Sequence, residues 1–239
     1  MVHGLLVTRE IWKPNLDLSR HYRLIRIDLP GHGDSPAPQQ PEQARPENLI
    51  EALDRLRTSL GIARWHLCGQ SFGAGLVLGY ALAFPEACAR VIFTNANAAL
   101  RETETEAQIE ARRSLALTVR HGGTDTLRKL PYHPANARRF PADLRETLSE
   151  QADLVAPESL ALLMQESLPR LSVRDRLAEL SVPTLLINGQ AERKFQPLRD
   201  WLSTTHPEIA ITDLPGGHSV NVECPEAFNK AAKEFLSLA

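Results

Sequence analysis

Two kinds of hydrophobic spacing alternate along the first hundred residues. Short apolar runs stop at Gly, Asp or Asn, and between them lie longer stretches in which apolar positions recur every three or four residues. The runs at 23–28, 65–69 and 90–95 predict strands. The stretches at 47–60 and 74–84 predict helices, the second closed by Pro85. Strand and helix in alternation predict a mostly parallel α/β sheet flanked by helices. From about residue 98 to 179 the register changes: long polar and apolar patterns such as 102–120 and 141–155 predict helices, and no run reads as a strand. Strand pattern resumes at 183–189, followed by a helix around 198–204, a short strand at 209–213 and a last helix at 225–238. The expected organisation is a core of residues 1–97 and 180–239 interrupted by a helical lid of residues 98–179.

Composition narrows the class. With 43% hydrophobic and 23% charged residues among 239, the chain has ample material for a core and is neither disordered, collagen-like nor coiled coil. A formal net charge of -2 offers no electrostatic reason to bind nucleic acid or an anionic membrane, so the expected partner is a small molecule or a protein. Cys68, Cys88 and Cys224 are too few and too scattered for a disulfide framework or a zinc cluster, and their odd number fits a reducing compartment. No run approaches the ~18 apolar residues of a membrane helix, and Met1-Val2-His3-Gly4 lacks the regions of a signal peptide. A cytoplasmic protein is expected.

The chemistry concentrates at Gly69-Gln70-Ser71-Phe72-Gly73, a G-x-S-x-G between an apolar strand and a helix. A serine on such a strand-to-helix turn is lifted above the sheet, and the next amide and the helix N-terminus favour a developing oxyanion. A serine hydroxyl needs a base, and the base needs an acid to orient it. His218, in the loop Pro215-Gly216-Gly217-His218-Ser219 between the last strand and last helix, is the candidate base. Glu192, the first carboxylate after the 183–189 strand, is the candidate acid; Asp213 reads as a strand end and Asp200 as a solvent-facing helix residue. Near the start, His3-Gly4-Leu5 offers a turn whose Leu5 amide would join that of Phe72 as a second oxyanion donor. The remaining histidines show no paired ligand spacing, so no metal is expected.

These residues together resemble the α/β-hydrolase superfamily. Asp28-Leu29-Pro30-Gly31-His32-Gly33-Asp34-Ser35 is similar to its D-x-P-G-x-G-x-S turn, and Gly217-His218 with Glu223, Pro225, Phe228 and Phe235 is similar to its histidine loop and closing helix. The resemblance implies a Ser71–His218–Glu192 triad, no cofactor and a helical lid. It also exposes a departure: members carry about two strands ahead of the His-Gly turn, where here only Met1 and Val2 precede His3. In the family's sheet the missing strand lies between 23–28 and 65–69, and its loss would leave backbone groups unpaired. A shortened form, a rearranged start or pairing from another protomer (a homo-oligomer) are the open outcomes, with lowered stability and a loosely fixed Leu5 amide expected.

The leading reading is hydrolysis of a small carboxylic ester or lactone through an acyl-enzyme. Gly189-Gln190-Ala191-Glu192-Arg193-Lys194-Phe195 is also similar to the G-E-R-D-x-K-F segment of the menaquinone-pathway synthases that eliminate pyruvate, and the polar stretch with Arg112 and Arg113 shares that likeness. Those enzymes place an arginine four residues after the nucleophile to clamp a carboxylate, and here that position is Gly75. The synthase is therefore the second reading, and a non-catalytic hydrolase-like binding protein the third. Leu115, Leu127, Leu160 and Leu163 suggest an apolar lid surface over the site or else the lid's own core; Gly75 and Gly79 suggest close packing of their helix on the sheet.

Overall fold

Four of the apolar runs assemble into one parallel sheet, in the order in which they occur: β1 (Trp65–Gly69), β2 (Cys88–Thr94), β3 (Thr184–Gly189) and β4 (Ala210–Leu214). The computed structural model describes residues 1–237. The helices are α1 (Pro46–Ser59), α2 (Phe72–Ala83), α3 (Asn97–Leu100), α4 (Glu106–Lys129), α5 (Ala142–Asp153), α6 (Pro157–Leu162), α7 (Gln196–Thr205), α8 (Val220–Glu223) and α9 (Pro225–Leu236). Position 238, included in the expected last helix, lies outside the described residues. Among the described residues no strand falls between β2 and β3, and no helix is long and apolar enough to cross a membrane.

Alternation along the strands builds two cores, because successive side chains leave a strand on opposite faces. Val91, Phe93 and Leu186 enter one cluster with α1, α2 and α7, while Ile92, Leu185 and Ile187 enter the other with α9. Both faces of β2 and β3 are covered, which is why those strands read as continuous apolar runs. The second face is completed by a 3₁₀ run at Arg9–Arg20, not anticipated from the sequence, which buries Ile11, Trp12 and Leu18 although Pro14 interrupts its pattern. A third cluster joins α4, α5 and α6 through Val119, Leu127, Ala152 and Leu160, and it also takes in Leu6 from near the N-terminus.

Several expectations need correction. The segment 23–28 is extended but forms no ladder strand. Its neighbour is Met1 alone, whose amino group donates to the Ile25 carbonyl at 2.7 Å and whose carbonyl accepts from the Ile27 amide at 3.3 Å. The start of the chain does enter the sheet, for one residue: Val2 bridges β1 opposite Gly69, donating to the Cys68 carbonyl at 2.8 Å and accepting from the Gln70 amide at 3.0 Å. The helix expected at 102–120 runs from Glu106 to Lys129, its turns broken at Gly123 with φ 63°. An added Cβ at Gly75 would meet Leu171 and one at Gly79 would meet Ile50 of α1, so these glycines admit helical neighbours rather than the sheet. Leu127 and Leu160 are buried in the helices' own packing, Leu163 is buried in the core cluster beneath the sheet and α2, and Leu115 is exposed.

Below Met1 the space between the 23–28 segment and β1 is a cleft of about 310 Å³, lined by Tyr22, Leu24, Ile25, Leu67, Cys68 and Ile92 among others. The Ile25 amide and the Arg23 carbonyl have no backbone partner among the described residues. The cleft is thus walled by β1 and by the 23–28 segment, with apolar side chains above and below and backbone groups that an added strand can pair. Fusing about four alternating β-branched residues ahead of Met1 is expected to raise Tm by at least about 2 °C. Thermal unfolding of the extended and parent chains checks this, and an unchanged Tm would show that the walls do not accept a strand.

Candidate active site

Ser71 caps β1 and opens α2 at φ 54°, a left-handed conformation that a serine adopts only where its surroundings enforce it. Its amide donates to the Thr94 hydroxyl at 3.4 Å, tying the turn to the end of β2. Gly73 must lack a side chain, since an added Cβ would run into the carbonyls of Val2 and His3. The turn is therefore wedged between β2 and the N-terminal segment, with the Ser71 hydroxyl above the strand ends.

The other two candidates come from the loops that leave β3 and β4. Asn95 binds the Gly189 backbone at both its oxygen and its nitrogen, at 2.8 and 2.9 Å, which fixes where the β3 loop begins. Gly189 lies so close to the Gly217 carbonyl that a Cβ there has no room, and this contact holds the two loops together. Gln196 donates to the Glu192 carbonyl at 3.0 Å, and the Gly217 amide donates to the Glu223 carboxylate at 2.7 Å. Under these constraints His218 Nε2 stands 2.8 Å from Ser71 Oγ, and His218 Nδ1 stands 2.9 Å from Glu192 Oε2. Ser71, more than a hundred residues from the other two in sequence, forms one hydrogen-bonded chain with His218 and Glu192. Asp213, weighed as an alternative acid, is instead bound by Asn188 and Arg199.

Asn97 was not singled out from sequence. Its side chain donates to Glu192 Oε1 at 2.9 Å, leaving Oε2 for His218. The available signal was its place just past the end of β2, the edge at which parallel α/β sheets gather functional residues.

The two candidate oxyanion amides, Leu5 and Phe72, have no hydrogen-bond acceptor among the described residues, and both residues line a cavity of about 460 Å³ together with Ser71 and His218. The loop that carries Leu5 is held despite its short lead-in. The Leu29 amide donates to His3 Nε2 at 2.9 Å, the Leu6 amide to His32 Nε2 at 3.2 Å and the Arg9 amide to Asp28 Oδ1 at 2.7 Å, with the Arg9 guanidinium on Asp28 Oδ2 at 2.7 Å. Each histidine gives its Nδ1–H to a carbonyl, His3 to Gly4 and His32 to Pro30, and accepts at Nε2. Both must be neutral to do so. Burial drives His3 down to about 3 and His32 to about 4, His3 lowered further by His32 and His32 partly supported by Asp28.

Among the described residues no lysine or arginine lines the cavity; its carboxylates are Glu192 and Glu223 and its histidines His133 and His218. Apolar lining comes from Leu5, Val7, Ile11, Phe140 and Leu168 rather than from the leucines expected of a lid. Chemically, the arrangement can activate a hydroxyl, shuttle one proton and stabilise a developing negative charge beside a neutral pocket.

Comparison with known proteins identifies the family and the fold. A family model for the alpha/beta hydrolase fold matches residues 1–223, and the chain belongs to that family. A Bacillus subtilis (strain 168) protein provisionally named 2-succinyl-6-hydroxy-2,4-cyclohexadiene-1-carboxylate synthase is 26% identical over 246 residues, covering 99% of this chain and 89% of its own. Carboxylesterase YbfK of the same organism is 24% identical over 99% of this chain and 79% of its own. The crystal structure of the enol-lactonase from Burkholderia xenovorans LB400 superposes with a TM-score of 0.81 at 24% identity, over 99% of this chain and 90% of that one.

The neutral histidine pair makes stability depend on acid. The unfolded chain takes up protons at its histidines near pH 6.5, whereas the folded chain refuses them until about 4 at His32 and about 3 at His3. The unfolded state therefore binds more protons throughout that window, and stability falls as pH drops through it. Urea unfolding at pH 5 is expected to give a stability lower than at pH 7 by on the order of 2 kcal/mol. Equal midpoints at the two pH values would contradict the buried neutral state.

Proposed function

We propose that the chain is a serine hydrolase that cleaves small, uncharged carboxylic esters or lactones through an acyl-enzyme. The observation that carries this reading is the Ser71–His218–Glu192 hydrogen-bonded chain facing two unpaired amides across one cavity. Ser71 Oγ attacks the acyl carbon as His218 Nε2 takes its proton, and Glu192, steadied by Asn97, holds the imidazole by Nδ1–H and stabilises its charged form. The tetrahedral oxyanion is received by the Leu5 and Phe72 amides, the second of which stands at the N-terminus of α2. His218 then returns the proton to the leaving alcohol, and water clears the acyl group by the same steps in reverse. No cofactor enters any of them. The helices of residues 98–179 act as the lid, contributing Tyr132, Phe140 and Leu168 to the cavity wall.

Preference for an uncharged acyl group follows from the lining. An anionic substrate would enter a site whose fixed charges are carboxylates and which offers no cationic side chain to replace lost hydration.

One observation favours a second reading, elimination from a carboxylate-bearing substrate: the full-length likeness to the provisionally named synthase together with the 189–195 segment. Position 75 weighs against it, because Gly75 packs against Leu171 and has no room for a clamp.

A series of p-nitrophenyl esters tests the proposal. Wild type is expected to turn over short acyl esters, with Ser71→Ala reducing kcat by at least about a thousandfold and a serine-directed phosphonate labelling only the wild type. A butyryl ester is expected to exceed its succinyl half-ester counterpart in kcat/KM by at least about tenfold. No turnover and no labelling in folded wild type would favour the binding-protein reading, whereas preference for the succinyl ester would favour a carboxylate-processing enzyme.

A further inference from the structure

The loop that carries Leu5 contains a second non-glycine residue with positive φ, and its amide is held from outside the loop. Leu6 has φ 56° and is fully buried. Its side chain belongs to the apolar cluster of α4, α5 and α6, alongside Val119, Leu127 and Leu160. Its N–H donates to Nε2 of His32 at 3.2 Å. A leucine in this conformation relaxes to an ordinary one unless something opposes it. Packing holds the side chain, and His32 holds the peptide.

His32 is built for that task. It is 1% exposed, and its Nδ1–H is committed to the Pro30 carbonyl at 3.2 Å, so Nε2 keeps a lone pair for Leu6. The turn that bears it is itself anchored: the Ser35 hydroxyl donates to the Asp28 carbonyl at 2.7 Å, and Arg9 bridges Asp28 and Asp34. The His3 ring packs against it at 5.3 Å between centroids. Burial keeps His32 neutral down to about 4, so the acceptor is present at neutral pH. Leu5, by contrast, has a free amide and no polar contact of its own to aim it.

We infer that His32 is a positioning residue for oxyanion stabilisation: by accepting the Leu6 N–H it fixes the strained turn and thereby aims the neighbouring Leu5 amide at the reacting carbon's oxygen. This rests on the esterase reading above. His32 touches neither substrate nor Ser71 and acts through the Leu5–Leu6 backbone. A donor that is present but misdirected loses its value in the transition state while ground-state binding is left alone, so the effect belongs in kcat.

Two substitutions separate aim from mere support. His32→Leu keeps apolar bulk without an acceptor, and His32→Gln places an amide oxygen at similar reach. The expected result with a p-nitrophenyl ester is a kcat at least about tenfold lower in His32→Leu with KM within about threefold. His32→Gln is expected to recover most of kcat even though both variants lose Tm to a similar degree. A kcat in His32→Leu within about threefold of wild type, a loss confined to KM, or equal losses in the two variants would overturn the inference. Should His32→Leu fail to fold, wild type decides: long-range ¹H–¹⁵N spectra of ¹⁵N-histidine-labelled protein are expected to show His32 as the Nδ1–H tautomer, and an Nε2–H tautomer overturns it. Wild type without turnover or phosphonate labelling overturns the esterase reading itself and this inference with it. Turnover in wild type beside an unimpaired His32→Leu removes this inference alone.

Discussion

The placement of Ser71 and of the two oxyanion amides depends on how the N-terminal segment meets β1. Val2 joins that strand by two backbone hydrogen bonds, one to Cys68 and one from Gln70, immediately before the strand turns into Ser71. The same crossing presses the carbonyls of Val2 and His3 against Gly73, where only glycine fits. A single bridged residue thus fixes the spacing between the loop that offers the Leu5 amide and the turn that offers Ser71 and the Phe72 amide. In a sheet, register is ordinarily secured over several residue pairs. Here one pair is supplemented by side chains: His3, His32 and Asp28 each take an amide across the gap between the loop at 3–9 and the turn at 28–35. Polar groups this deeply buried stabilise only when satisfied, and these are.

That substitution of side-chain bonds for a strand ladder explains why the loop is ordered without a full strand leading into it. It also changes the character of the anchoring. Ladder bonds are indifferent to pH, whereas imidazole acceptors exist only while neutral. Burial makes them dependable near neutrality and vulnerable in acid, and the Arg9–Asp28–Asp34 bridge adds a salt-sensitive element at the half-exposed rim.

Much of this was legible in sequence because it is written in local terms. The strand-to-helix context of Gly69–Gly73, the loop position of His218 and the first carboxylate after β3 lie within a few residues of recognisable element ends, and the structure brings Ser71, His218 and Glu192 within hydrogen-bonding reach. The strands β1 to β4 were found within two residues at each end, β2 and β3 most plainly because both their faces are covered. What was not legible depends on partners distant in sequence. The segment 23–28 has the composition of a strand, but strand formation needs a neighbour along its whole length, and composition says nothing of the neighbour. Arg9–Arg20 carries proline and polar residues that hide a buried stripe decided by α9. The lining of the cavity was misassigned to leucines at helical spacing, for which burial among their own helices is the commoner fate. Asn97 and His32 act through single contacts across the fold, and no periodicity announces such contacts.

The charges around the cavity follow the same economy of position. Glu223 lines the cavity, yet its carboxylate receives the Gly217 amide and pairs with Arg139 at 3.3 Å, so it holds the loop on which His218 stands. Glu192 receives Asn97 and His218. Both carboxylates thus take part in fixing one imidazole, Glu192 through both of its oxygens and Glu223 through Oε2. No cation on the wall stands opposite them to attract an anionic ligand. In the proposed reaction, a pocket with its ionic groups so placed recognises its ligand chiefly by shape, apolar contact and the oxyanion amides. Discrimination of that kind is modest between homologous chain lengths, about one to two orders of magnitude per methylene, and strong against charge. In the proposed reaction this makes the scissile group the main determinant of selection, with the fit of the acyl chain against Phe140, Leu168 and Ile11 the secondary one.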